Sequence, residues 1–187
     1  MEDKTEKIFP VLETERLRLR QPRETDVEQL LAITQNEDVM RYYGMEPFNT
    51  EQEALEEINW FNDQFTKVKG IRWVITKKPQ DAYVGDIGFG YVAQHSRADI
   101  GFKLAQVYWR QGLITEAMNK VIAYGFETMK VNRFEATVDP RNVACKSLLE
   151  TFRFTKEGLL RDYEFEKGAF VDLAMYSLLK REWSVST

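Results

Sequence analysis

The sequence predicts one α/β domain of mixed (α+β) kind, in which a mostly antiparallel sheet of seven strands carries helices on both faces. Three observations lead there. The chain has 187 residues, and at roughly 150 residues per domain that length makes a single unit. Stretches of period two and period 3.6 follow one another in the order β-α-α-β-β-β-α-β-α-β-β. The middle strands succeed each other through short turns, as a meander does, whereas the strand, helix and strand of the second half demand a crossover, so the sheet is mixed.

Residues 1–10 read as a polar tail, 11–183 as the domain and 184–187 as a C-terminal tail. Leu17 and Leu19 alternate with Arg16, Arg18 and Arg20, the pattern of a strand with one face to solvent. Pro22 to Asp26 break it, and Thr25 or Asp26 caps a helix carrying Val27, Leu30, Leu31 and Ile33. Thr50 and Glu53 stand at capping-box spacing before Leu55, Ile58, Phe61 and Phe65, which recur at helical intervals. Residues 71–75, 83–92 and 98–104 are strands, separated by the turns 77–81 and 93–97. After Gly112, the residues Ile114, Ala117, Met118, Val121 and Ile122 mark one apolar helical face. Arg133 to Val138 is a strand, Asp139-Pro140 begins a helix with Cys145, Leu148, Leu149 and Phe152 on one face, and two final strands flank the turn Glu166 to Ala169.

Composition excludes several classes of function. Lys and Arg number 26 against 30 Asp and Glu, a formal net charge of −4, so no overall field draws the chain to phosphate backbones or anionic lipids. Neither nucleic acid nor membrane is an expected partner. Cys145 and His95 are the sole residues of their types, which excludes an internal disulfide and a zinc site of the usual ligand set, and argues against a histidine-based triad. No metal is expected. The N-terminal residues are polar and no run approaches the ~18 apolar residues of a spanning helix, so the expected location is cytoplasmic.

Chemistry concentrates between Ile100 and Glu116, where a strand, a short loop and a helix follow in order. The first turn of a helix offers unpaired N–H groups and the positive end of its dipole, which suit a diphosphate. Gly112 admits close approach of a ligand to the backbone, and Arg110 adds a positive charge beside the turn. Neither a P-loop nor a dinucleotide fingerprint occurs. Strand–loop–helix connections of this kind are common, and on this pattern alone many bind nothing.

The string Tyr108-Trp109-Arg110-Gln111-Gly112-Leu113-Ile114-Thr115-Glu116-Ala117 resembles the acetyl-CoA signature of the GNAT superfamily of N-acetyltransferases, particularly its ribosomal-protein (RimJ/RimL-like) branch. Leu12 to Arg20, Asp99-Ile100-Gly101-Phe102 and Asn142-Val143-Ala144-Cys145 agree in order and spacing, so the resemblance runs from about Leu12 to Trp183. It implies the GNAT fold, with the strand Arg133 to Val138 splaying from Ile100 to Leu104. It further implies that the backbone of Phe102, Lys103 and Leu104 pairs with the pantetheine arm, that Arg110, Gln111, Gly112, Leu113, Ile114 and Thr115 receive the diphosphate, and that Asn142 helps hold the arm. A homodimer is an assembly the resemblance allows.

Some positions depart from the family pattern. Ile114 replaces a small residue. Leu149 stands where many relatives carry a tyrosine that protonates the departing thiolate, and Cys145 where the ribosomal branch has a serine. Phe152-Arg153-Phe154 replaces the usual Leu-Gly-Phe. As candidate catalytic residues this leaves Asp99, at the position of an acidic residue near the substrate amine, and Cys145, which a helical face shared with leucines marks equally as core packing. Asp99 has a solvated strand-start charge as its alternative, and His95 reads as an exposed turn residue. Tyr42, Tyr43, Trp60, Phe61, Phe65, Tyr163, Phe165 and Tyr176 are candidates for an acceptor site or for the core, and Glu46, Asp63 and Glu164 for attracting an amine or facing water.

The expected function is transfer of an acetyl group from acetyl-CoA, as cosubstrate, to a primary amine by direct attack in a ternary complex. Asp99 or a water it holds takes the ammonium proton, and a backbone N–H near Leu104 stabilises the oxyanion. The acceptor is a protein N-terminal α-amine or a small-molecule amine such as an antibiotic. A non-catalytic acyl-CoA-binding sensor is the alternative from another class, kept open by Leu149 and Cys145.

Overall fold

The computed structural model describes residues 8–183; the segments 1–7 and 184–187, which belong to the expected tails, lie outside the described residues. Its sheet has eight strands in the order β1-β2-β3-β4-β5-β6-β8-β7: β1 (Leu12–Glu13), β2 (Leu17–Arg20), β3 (Gly70–Lys77), β4 (Tyr83–Val92), β5 (Arg97–Leu104), β6 (Arg133–Val138), β7 (Thr155–Glu166) and β8 (Ala169–Leu179). The helices are α1 (Val27–Thr34), α2 (Glu37–Met40), α3 (Glu51–Thr66), α4 (Leu113–Glu127) and α5 (Val143–Thr151). Every neighbouring pair is antiparallel except β5 and β6, which the crossover through α4 makes parallel.

The eighth strand corrects the expected seven. Leu12 and Glu13 pair with Leu19 and Arg18 across a tight turn, and two residues are too few for alternation to show in a sequence. Phe9, within the expected tail, packs its ring 4.8 Å from Phe65 and 6.1 Å from Trp73, whose indole donates to the Pro10 carbonyl at 2.8 Å.

Local chemistry explains the helix starts. Thr50 and Glu53 form the reciprocal box expected of them, with Glu53 Nα donating to the threonine hydroxyl and the Glu53 carboxylate accepting from Thr50 and Asn49. The last helix begins at Val143 rather than at Asp139-Pro140, because the Asn142 side chain accepts from Cys145 Nα at 3.0 Å and so supplies the cap. Between β7 and β8, Lys167 and Gly168 both take positive φ, as a two-residue hairpin requires.

Two cores flank the sheet. Leu17, Leu19, Trp73, Ile75, Ile87 and Phe89 project to one face and meet the apolar side of α4, where Ala117, Met118, Val121, Ile122 and Phe126 are fully buried. Val74 and Tyr83 project to the other and are covered by Leu30, Ile33, Ala54 and Ile58 of α1 and α3. That second cover is incomplete toward β5 and β6, and an open cleft lies there.

Candidate active site

The positioning begins at the entry to α4. Gly112 caps the helix at φ 74°, in the left-handed region, and Arg110 also has positive φ at 58°. The left-handed Gly112 followed by right-handed helix turns successive amides to one side, the geometry that concentrates N–H groups on an anion. Glu116 Nα is the first in the helix to find a carbonyl, that of Gly112 at 3.0 Å. The amides of Leu113, Ile114 and Thr115 precede that bond and are left to an outside acceptor. Arg110, Gln111 and Gly112 are exposed here, Ile114 and Thr115 half-buried, and Leu113 is anchored in the core.

Contacts from the first hairpin hold this loop. The Glu116 carboxylate accepts from Arg16 Nα at 2.9 Å, from Arg16 Nε at 2.7 Å and from the Thr14 hydroxyl, while Arg16 Nη1 donates to the Gln111 carbonyl at 2.9 Å. Those partners lower the Glu116 carboxyl below its ordinary range against the opposing effect of burial. Trp109 Nε1 ties the loop back to the Leu104 carbonyl at 2.8 Å, and Gln111 Nε2 to the Val107 carbonyl at 2.9 Å. In the sequence Thr14 and Arg16 belong to one motif and Glu116 to another, and sequence reasoning missed that they form one cluster; a charge of opposite sign in each motif was the available signal.

Beside the loop the central strands part. β5 and β6 pair at Arg97 with Arg133, Ala98 with Phe134 and Asp99 with Glu135, and no further. Beyond that point Ala136 to Val138 pair with β8 and Ile100 to Leu104 pair with β4. The bond from Ala105 Nα to the Val84 carbonyl, 2.9 Å, sets the phase of β5. Every second residue of an antiparallel strand faces its partner, so Gly101 and Lys103 spend their main-chain groups on β4 while the amides of Phe102 and Leu104 face the gap. Lys103 therefore departs from the expected cofactor contacts. Its backbone serves β4, and its side chain is buried with Nζ 2.8 Å from Asp86 Oδ2 and stacked over the rings of Tyr43 and Phe61.

On the α3 side, where the strands begin to part, opens a cleft of about 800 Å³ whose walls include Asp99, Glu135, Tyr91, Thr137, Tyr163 and Glu164. Asp99 is exposed to it. Displacement of water by the surrounding cleft walls, and then the like charges of Glu135 and Glu164, lift the Asp99 carboxyl to about 6. Glu135 is itself paired with Arg133 at 2.6 Å and Arg97 at 3.2 Å, whereas among the described residues Asp99 and Glu164 have no ion-pair partner. The candidate base thus lies open in a cleft that Glu135 and Glu164 share with Lys69 and Arg97.

The remaining candidates divide clearly. Tyr163 and Glu164 line the cleft; Phe61 and Tyr176 are core residues, and Trp60, Phe165, Glu46 and His95 are exposed away from it. Asp63 pairs with Lys67 on the outer face of α3. The Asn142 oxygen is engaged in capping α5. Cys145 is half-buried against the large core, which pushes its thiol up to about 11.

Comparisons with known proteins agree with this architecture. The family model described as "Acetyltransferase (GNAT) domain" matches residues 16–155. The uncharacterised N-acetyltransferase YoaA of Bacillus subtilis is 38% identical over 174 residues, covering 92% of this chain and 98% of its own. A GNAT-family acetyltransferase structure from Bacillus anthracis superposes with TM-score 0.81 at 25% identity, covering 92% of this chain and all of that one. At 17% identity, a likeness of fold alone, the ribosomal L7/L12 α-N-protein acetyltransferase RimL in complex with coenzyme A superposes with TM-score 0.83 over 93% of this chain and 100% of its own. A strand pair that parts beside a helix N-terminus, a family match over most of the chain and a full-length relative of this identity lead to one conclusion: the chain belongs to the GNAT acetyltransferases.

Proposed function

We propose that this protein transfers the acetyl group of acetyl-CoA to a primary amine held in the cleft at Asp99. The observation that carries the reading is the parting of β5 from β6 immediately beyond Asp99 and Glu135, next to the open amides of α4. Unpaired main-chain donors are a liability unless a ligand completes them, and two sets meet here. The amides at 113–115, with Arg110 in the loop that leads to them, suit a diphosphate. Those of Phe102 and Leu104 suit an extended arm bearing amide carbonyls, which then adds to β5 as a strand would. The donor set fits coenzyme A, and the CoA complex of RimL, a protein of the same fold, supports that choice.

Acetyl-CoA supplies an acetyl group activated as a thioester. The chain supplies position and proton transfer. Aligning the two reactants removes much of the entropic barrier, and the Phe102 amide, the nearer of the two to the parting point, is placed to receive negative charge there, leaving that of Leu104 to the arm. Asp99 accepts the ammonium proton: a carboxyl lifted to about 6 is ionised at neutral pH yet more basic than an ordinary aspartate. Cys145, half-buried and raised to about 11, is better suited to packing than to giving up a proton. A neighbour that acetylates a ribosomal protein supports a protein α-amine as acceptor, and a small-molecule amine fits the open cleft as well.

The test is calorimetric titration with acetyl-CoA followed by a time course of thiol release with a panel of amines. Binding together with acceptor-dependent release is the expected result. Tight binding with no release for any amine would favour the sensor reading, and absence of binding would refute the site.

A further inference from the structure

Behind the cleft the same face of the sheet carries charges that proton transfer does not use. The register aligns three rows of side chains there. Gly90, Asp99 and Glu135 form the row at the cleft, Arg72, Gly88 and Gly101 the next, and Val74, Asp86 and Lys103 the innermost. Successive rows are two residues apart, about 6.6 Å at ~3.3 Å per residue. The middle row has two glycines, so Arg72 alone supplies a side chain to it. A Cβ built on Gly101 would stand 3.7 Å from Arg72 Nη2, which places the guanidinium directly over that glycine.

Arg72 is only partly committed. Nη1 donates to the Gly101 carbonyl at 2.8 Å and to Asp86 Oδ1 at 3.1 Å, and the guanidinium lies over the Phe61 ring at 5.3 Å. Among the described residues Nε and Nη2 have no acceptor, and neither is sealed from solvent, since the one buried side-chain donor left without a hydrogen bond is Lys103 Nζ. Asp86 is shared by Arg72 and by Lys103, which is fully buried. Glu57 is the other carboxyl in this group, and burial, the largest influence on it, pushes it up against the pull of Lys103 and Arg72. Of the two cations, Arg72 is the one whose open donors reach solvent. Its charge already reaches the Asp99 carboxyl.

We propose that Arg72 reads a carboxylate carried beside the acceptor amine, so that the acceptor is a small zwitterion, an amino acid, rather than a simple amine or a protein N-terminus. The proposal rests on the acetyltransferase reading above. The amine is held at Asp99 and the carboxylate one row inward, on Nε and Nη2 of Arg72, a fork suited to planar oxyanions. A separation of one row fits an amine and a carboxylate on the same carbon with a hydrogen bond at each end. A peptide N-terminus offers only a neutral carbonyl there, and a simple amine offers nothing. In the transfer Asp99 takes one proton from the ammonium group, the freed amine nitrogen bonds to the acetyl carbon, the carbon–sulfur bond breaks, and the second proton shed by that nitrogen passes through water to the departing thiolate, so that coenzyme A leaves as the thiol.

The experiment measures thiol release from acetyl-CoA with L-amino acids, with the decarboxylated amine matching each, and with short peptides of the same N-terminal residues. The proteins are the wild type, Arg72→Gln and Arg72→Lys, with thermal melts to confirm folding. A charge-assisted pair makes at least one amino acid better than its amine by about ten-fold in kcat/KM. Arg72→Gln collapses that ratio, and Arg72→Lys keeps part of it. In a melt without acetyl-CoA, the matching N-acetyl amino acid stabilises the wild type more than Arg72→Gln. Amines or peptides turned over as well as amino acids, or a preference that survives Arg72→Gln, would overturn this inference and leave the acetyltransferase reading standing. No turnover with any acceptor would count against both.

Discussion

Glu116, in the first turn of α4, accepts Arg16 Nε at 2.7 Å while the same arginine donates through Nη1 to the carbonyl of Gln111. One side chain thus fixes both the start of the helix and the loop before it, although Arg16 and Glu116 are 100 residues apart. Removing the link frees the loop without opening the core. Arg16→Ala and Glu116→Gln should each weaken acetyl-CoA binding by about ten-fold in calorimetry while changing stability by about 1 kcal/mol or less, since the pair is partly exposed. A loss of stability that outweighs the loss of affinity would make the cluster purely structural.

Gly112 sits at φ 74°, where an L side chain costs roughly 1–2 kcal/mol. Its replacement by tryptophan should lower the melting temperature modestly and should abolish most coenzyme binding, because the indole would stand beside the amides at 113–115. Unchanged affinity in titration would contradict the placement of the diphosphate.

Asp99 makes activity and stability depend on pH in opposite directions. As a base it must be ionised, so kcat/KM should rise with pH through about 6, and Asp99→Asn should remove that limb along with about 10²-fold or more of the rate. For stability, the folded carboxyl holds its proton more tightly than the unfolded chain, whose reference value is 3.8. Its contribution is therefore favourable below that value and is lost as pH rises to about 6. Asp99→Asn should melt higher than wild type at pH 8, with the difference shrinking toward pH 4. A pH–rate profile without a limb near 6 would exclude Asp99 as the base.

Asp86 is the only anion touching both Arg72 and Lys103 among the described ion pairs. Asp86→Ala strands two cations, one of them fully buried, and should cost about 3–5 kcal/mol in urea unfolding. A loss below about 1 kcal/mol would show that water or Glu57 takes its place.

Cys145→Ala should keep turnover within about two-fold and shift stability by about 1 kcal/mol, as a half-buried packing residue does. A large fall in kcat with unchanged KM would restore the thiol as a proton donor.

Much of the fold was legible because periodicity and turn chemistry are local. The Thr50 and Glu53 box, the apolar face of α4 and the tight turn at Lys167-Gly168 each depend on residues a few positions apart, and each occurs as the pattern implies. What escaped was either too short to carry a period, as with β1, or decided between segments. Lys103 follows the Asp99-to-Phe102 motif on the same strand and so read as part of the cofactor strand. Which way its backbone faces depends on the phase of β5 against β4, and a shift of one residue would reverse it. Asn142 likewise sat within a motif, and only the structure assigns its oxygen to the cap of α5.

By itself the sequence determined the order of the strands and helices long enough to show a period, the glycine at the head of α4 and the exclusion of an internal disulfide, because composition and short-range pattern suffice for these. The tertiary structure alone decided that β5 and β6 separate after Asp99, that Glu135 and Glu164 lift the carboxyl of Asp99, and that Arg72 stands over Gly101 one row behind it. These are electrostatic and steric relations across strands far apart in the chain. They exist only once pairing has fixed which side chains share a face.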